Sequence, residues 1–220
     1  MSEVSVLFLG KRNDPHCQAA LEFVSANFEK VVIATGDWGE PFPENARAWA
    51  GDYIISFLSR WIIPDTVLKQ ARKASINFHP GSPEYPGFAS TCFAIYDGAS
   101  AFGVTCHRME PAVDAGQIVA VRRFSVYDSD TVVSLHQRTY TYLLALFYDT
   151  VAELLDHQSL GEVQEQWRRK PTTRKDLLEL QRITPDMNLG EIQKRVRATY
   201  FPGQPLPYIE VEGLRIELKS

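Results

Sequence analysis

Short apolar runs rich in β-branched residues alternate with helix-length stretches through residues 1–160, the pattern of strands joined by crossover helices. Residues 4–9 read as a first strand. Residues 15–28 read as the helix after it, with Asp14 placed to cap and Pro15 in the first turn. Residues 31–35 and 53–58 predict the second and third strands, residues 64–73 a helix, and residues 74–78 a fourth strand running into His79-Pro80-Gly81. Alternation resumes over residues 102–109 and 117–126, joined by a loop over 110–116 that carries Asp114. Asp128, Ser129 and Asp130 are N-cap candidates for one long helix over 131–156. The character then changes. Residues 164–173 are polar and basic, 189–199 predict a helix, and 208–211 with 214–218 flank Glu212-Gly213 as a hairpin. The expected architecture is α/β with a mostly parallel sheet flanked by helices, comprising a core over 1–160 and a small C-terminal appendage of helix and β-hairpin over 161–220.

Composition narrows the chemistry. With 220 residues and 45% hydrophobic content, the chain can bury a core without a disulfide or metal staple. Its three cysteines, Cys17, Cys92 and Cys106, show no C-x-x-C spacing, so free thiols and no metal site are expected. A formal net charge of -4 supplies no general basic field for nucleic acid. The N-terminal apolar run is interrupted too early for a signal peptide, and no segment approaches the roughly 20 apolar residues of a membrane span. A cytoplasmic protein without a membrane or nucleic-acid partner is expected.

In open α/β sheets, ligands bind beyond the carboxyl ends of the strands, which directs attention to Asn77 and His79. Residues two apart in a strand share a face, so the amide and the imidazole project together. Acyl transfer to an amine develops negative charge on the former carbonyl oxygen, and an Asn amide and a protonated imidazole can both donate to it. A histidine also suits proton traffic near neutrality, and a carboxylate such as Asp114 would orient or charge it. On these residues alone, however, a strand-end Asn or His more often bonds the neighbouring loop, and Asp114 before Ala115-Gly116 reads equally as a turn aspartate.

Four ordered pieces decide between these readings: Asn77-Phe78-His79-Pro80-Gly81-Ser82, Tyr85-Pro86-Gly87, Gly103-Val104-Thr105-Cys106-His107, and Val113-Asp114-Ala115-Gly116-Gln117-Ile118. Together they resemble the folate-dependent formyltransferase family, with its pattern N-x-H-P, a Gly-containing loop, G-x-T-x-H and D-x-G-x-I. The resemblance implies a Rossmann-like formyltransferase core, with Asn77, His79 and Asp114 at the catalytic positions. It further implies N10-formyltetrahydrofolate as formyl donor, its pterin against Leu58-Ser59-Arg60-Trp61-Ile62, and the loop through Val113 closing the other side. His107 also falls on a family-like position, and a structural role is favoured for it over a catalytic one.

Departures from family patterns bear on the acceptor. Gly10-Lys11-Arg12-Asn13-Asp14 stands where glycinamide ribonucleotide transformylase has a Gly- and Ser-rich turn, and its cations suit a phosphate or diphosphate. The residues after 160 are too few for the linker and basic C-terminal domain of methionyl-tRNA formyltransferase. The wording of residues 77–87 is most similar to the short nucleotide-sugar N-formyltransferases, which implies as acceptor a nucleotide-linked amino-deoxyhexose such as GDP-perosamine or a dTDP-linked 4-amino-4,6-dideoxysugar. Lys11, Arg12, Asn13, Pro80, Gly81 and Tyr85 are then the substrate-side candidates, and a homodimer is a family-based expectation. Glycinamide ribonucleotide transformylase is the alternative within the enzyme class, and a folate-binding protein without turnover is the alternative outside it.

Overall fold

The computed structural model describes residues 2–157 and 159–218. The main sheet has six strands: β1 (Ser2–Lys11), β2 (Phe28–Gly36), β3 (Gly51–Phe57), β4 (Ala71–His79), β5 (Ala101–Arg108) and β6 (Ile118–Ser125), in the order β2-β1-β3-β4-β5-β6. The first four are parallel, β5 adds antiparallel to β4, and β6 adds antiparallel to β5. The expected mostly parallel sheet is thus present, and the β4–β5 register sets Asn77 opposite His107 and His79 opposite Thr105.

Helices cover both faces of this sheet because β1 and β3 are apolar on both sides. On one face α1 (Pro15–Asn27) and the 26-residue α5 (Val132–His157) bury Cys17, Ala20, Val24, Leu143 and Phe147 against Val6, Phe8, Ile55 and Phe78. On the other, the single turns α2 (Glu44–Arg47) and α3 (Asp65–Leu68) bring Ala46 and Val67 against Leu7, Leu9 and Ile54. Beyond α5, α6 (Arg174–Gln181), α7 (Leu189–Thr199) and a small sheet of β7 (Arg182–Ile183), β8 (Tyr208–Val211) and β9 (Leu214–Glu217) complete the chain. Glu212 and Gly213 both have positive φ, as a two-residue hairpin turn between twisted strands requires. None of the described helices is long and apolar enough to cross a membrane.

Asp14 caps α1 as its sequence position suggests, accepting from the main-chain N–H groups of His16 and Cys17. Two local expectations need correction. The helix over 64–73 is one turn only, because Ala71 already pairs with Gly51 in the sheet and Arg72 reaches back to Asp52. The cap of α5 is supplied by Thr131, whose hydroxyl accepts from the Ser134 N–H, whereas Asp130 is held by Arg138 and Tyr127. All three cysteines are buried free thiols, and burial pushes Cys17 up to about 11 and Cys92 to about 12.

Candidate active site

The carboxyl ends of β3 and β4, the β5–β6 loop and the segment before α6 surround one cleft of about 520 Å³. Asn77, His79, His107 and Asp114 lie on its wall. Asp114 is buried, and its left-handed backbone (φ 44) turns the carboxylate inward between two imidazoles: Oδ2 lies 3.2 Å from His79 Nδ1 and Oδ1 lies 3.2 Å from His107 Nε2. The Gly87 N–H also donates to Oδ2, at 2.7 Å. Burial by itself would raise the Asp114 pKa. The charge of His79, the hydrogen bond and charge of His107 and the Gly87 amide outweigh burial and hold the carboxyl well below the usual carboxylate range.

The proton positions follow from the partners. His107 Nδ1 faces the Arg108 carbonyl at 2.8 Å and so carries a hydrogen, while its Nε2 lies between the Asn77 amide nitrogen (3.1 Å) and Asp114. The Ser56 hydroxyl donates to Asn77 Oδ1 at 2.8 Å, which turns the Asn77 NH2 toward His107 and the cleft. His79 Nε2 has the Tyr85 carbonyl at 3.1 Å and the Ser90 hydroxyl at 3.3 Å. Thr105 donates to the Gly81 carbonyl at 2.8 Å and so fixes the turn after His79.

Over this network passes the segment 163–173, with Arg168 N–H on the Pro83 carbonyl and Thr172 N–H on that of Pro86. Trp167 donates to the Gly116 carbonyl at 2.9 Å and stands nearly perpendicular to both His107 and His79, with ring centroids 5.1 and 5.8 Å away. Trp38, also on the cleft, is 49% exposed, and the guanidinium groups of Arg60 (4.7 Å) and Arg174 (4.5 Å) both approach its indole.

The formyl transferase model matches residues 35–150. GDP-perosamine N-formyltransferase from Brucella melitensis is 31% identical over 179 residues, covering 79% of this chain and 66% of that relative. The chain belongs to the formyl transferase family. It spans about two thirds of the length of the curated relatives it matches. In fold it is similar to a 4-N formyltransferase from Francisella tularensis, at TM-score 0.80, 16% identity and 100% of both chains. The N-formyltransferase from Helicobacter canadensis, solved with folinic acid and dTDP-3-aminofucose, superposes at TM-score 0.71 with 18% identity, over 97% of this chain and 86% of that one.

Within this formyl transferase, the residues expected at the donor side, Leu58, Ser59, Arg60, Trp61, Ile62 and Val113, all line the cleft. They also suit a flat heterocycle. Ile62 is 78% and Val113 49% exposed, so two facing loops offer apolar side chains that nothing covers, beside main-chain polar groups. On the acceptor side the arrangement is more divided. Pro80 lines the cleft. Lys11 is paired with Asp14 and lies 5.7 Å from the ring of Tyr140, which lines the cleft. Arg12 is clamped by Glu40 through both guanidinium nitrogens, and Asn13 takes a left-handed turn (φ 55). Gly81 backs His79 rather than the cleft, since a Cβ there would lie 2.4 Å from His79 Nε2. Tyr85 is buried with its ring under Arg169 and against Phe102, so it meets the site through its carbonyl alone.

Sequence reasoning gave His107 a structural role and did not single out Ser90, Trp38, Trp167 or Arg174. For His107 a signal existed: Thr105 and His107 alternate onto one face of β5, beside Asn77 and His79. Gly87 joins the network to the covering segment. At φ 89 it bridges to Thr172, and a Cβ there would lie 2.3 Å from the Thr172 carbonyl oxygen. Gly87→Ala is therefore expected to cost roughly 2–4 kcal/mol in urea unfolding and to disturb Asp114, with unchanged stability as the contrary result.

Proposed function

We propose that the chain is a nucleotide-sugar N-formyltransferase that moves the formyl group of N10-formyltetrahydrofolate to the amine of a nucleotide-linked amino-deoxysugar. GDP-perosamine is the first acceptor to try and O-antigen synthesis the role to test, on the strength of the Brucella relative's name. The Helicobacter structure's folate and amino-sugar nucleotide support the same pair of substrates. The observation that carries the reading is the buried Asp114 carboxylate between His79 and His107, beside an Asn77 amide open to the cleft.

The donor supplies an activated formyl group. Asn77 then donates an N–H to the formyl oxygen, where negative charge collects as the amine attacks. His79 is the proton carrier, since its Nε2 has both a donor and an acceptor within reach. Asp114 is a poor base at its depressed pKa, and both its oxygens are engaged, so its role is to hold the His79 imidazole in place and to balance its charge. In this proposal the core over 1–160 carries the reacting residues, and the part beyond it lends Arg174 to the cleft.

Arg60 and Arg174 have no carboxylate partner among the described residues, unlike Arg12, Arg123 or Arg169. They suit the anionic end of a bound substrate. Arg174→Gln is expected to raise the KM of one substrate about tenfold with kcat little changed, as initial-rate kinetics would reveal. The function itself is tested by incubating the protein with N10-formyltetrahydrofolate and a panel of amino-sugar nucleotides, followed by mass spectrometry. A formyl mass gain on one of them is expected. Formylation of glycinamide ribonucleotide or of charged initiator tRNA instead would overturn the assignment.

A further inference from the structure

Ser90 is the first residue of α4 (Ser90–Asp97) and is buried, yet it does not cap that helix: no side chain bonds its first N–H groups, and the residue before it, Ala89, is left-handed at φ 58. The Ser90 hydroxyl points backward instead, with two partners in reach: His79 Nε2 at 3.3 Å and the Gly87 carbonyl at 3.2 Å. The Tyr85 carbonyl lies 3.1 Å from the same Nε2. A neutral His79 whose Nδ1–H donates to Asp114 has a bare Nε2, which needs a donor. A protonated His79 has an Nε2–H, which needs an acceptor.

From this geometry we infer that Ser90 is a positioning residue that follows the protonation state of His79. In the neutral state its hydroxyl donates to His79 Nε2. When His79 takes up a proton, the hydroxyl turns to the Gly87 carbonyl and Nε2–H donates to the Tyr85 carbonyl. One rotation about the Ser90 C–O bond gives His79 Nε2 a partner in either state, so the ring nitrogen itself is never left orphaned. The other groups facing His79 are the ionised Asp114 from the β5–β6 loop, which His107 of β5 also contacts from its far side, and the Trp167 ring from the covering segment. The role rests on His79 as proton carrier in the proposed reaction, whereas the hydrogen-bond exchange does not require substrate.

Ser90→Ala removes the only donor to neutral Nε2 among the described residues while leaving the Tyr85 carbonyl for the protonated form, so it favours the protonated ring. Titration of the imidazole signals by NMR, with the His79 signal assigned by its loss in His79→Asn, is expected to show His79 deprotonating at a pH higher by about 0.5–1 unit in Ser90→Ala. Ser90→Cys, with a weak S–H donor of similar shape, is expected to fall between the two. In turnover, Ser90→Ala is expected to lower kcat about tenfold with the KM of either substrate within twofold, and to move the pH profile of kcat in the same direction. A His79 titration in Ser90→Ala that matches the wild type, or shifts to lower pH, overturns the inference. If the wild-type protein transfers no formyl group, the proposed function fails while the titration still decides the role of Ser90.

Discussion

Asp114→Asn is expected to lower kcat by about 10²–10⁴-fold while the KM of both substrates changes little. The substitution preserves size and one hydrogen-bond acceptor, but it removes the negative charge that both imidazoles face. Asparagine also cannot accept at both of its terminal atoms, so one of the His79, His107 and Gly87 contacts is lost or reversed. Because the pair partners are buried, removing one charge is further expected to cost on the order of 3 kcal/mol of stability at neutral pH. The pH dependence has a defined sign. The folded-state pKa of Asp114 lies below its unfolded value, so its contribution is complete above that unfolded value, about 3.9, and fades as pH falls below it. Wild-type unfolding free energy should therefore drop more steeply below about pH 4 than that of Asp114→Asn. Parallel acid limbs in the two proteins would contradict the arrangement.

Asn77→Ala is expected to reduce kcat by about 10²–10³-fold, the usual consequence of removing one donor from a developing oxyanion. The variant also frees the Ser56 hydroxyl and one side of His107 Nε2, so its folding should be checked by circular dichroism before the rates are compared. Loss of rate through a raised donor KM alone would mean that Asn77 serves binding and not the reaction. The distinction matters because Asn77 is the one member of the group whose polar hydrogens are not all engaged by protein partners. His79 and Asp114 act on a proton; Asn77 acts on the oxygen.

Much of this arrangement was legible in the chain, for physical reasons that differ by element. The strands carrying the site were readable because β-branched runs ending in polar loops have few other uses in an α/β protein, and β4 did deliver Asn77 and His79 to the carboxyl edge. The start of β4 was misread as helix because Ala71, Arg72 and Lys73 have ordinary helix propensity, and only their pairing with β3 overrides it. The helix α6 was missed although Thr173 and Asp176 form a capping box, a local signal hidden within a polar and basic stretch. Tyr85 admitted two readings. The family resemblance set it near the substrate and its place between prolines suggested loop packing; the fold buries its ring and turns its carbonyl to His79.

What could not be read locally are the contacts that cross the chain. Trp167 meets His79 and His107 from far along the sequence, and Arg174 meets Trp38 across an even longer separation. Neither pairing follows from spacing or composition, since each depends on where the segment 163–173 is laid over the loop at Gly87. The place of His107 depends on a different crossing, the pairing of β5 with β4. As a lone strand histidine it reads as a packed side chain, and only its position between Asn77 and Asp114 makes it part of the site.

The most direct test of the account is a double-mutant cycle on His79 and Asp114, with kcat/KM for formyl transfer measured for His79→Asn, Asp114→Asn and the double variant. If the imidazole and the carboxylate work as one unit, either single change removes nearly all that the pair contributes, and the double variant should be little worse than the poorer single one. Losses that simply multiply, or a single variant that retains wild-type rate, would contradict the reading of Asp114 as the group that holds and charges His79.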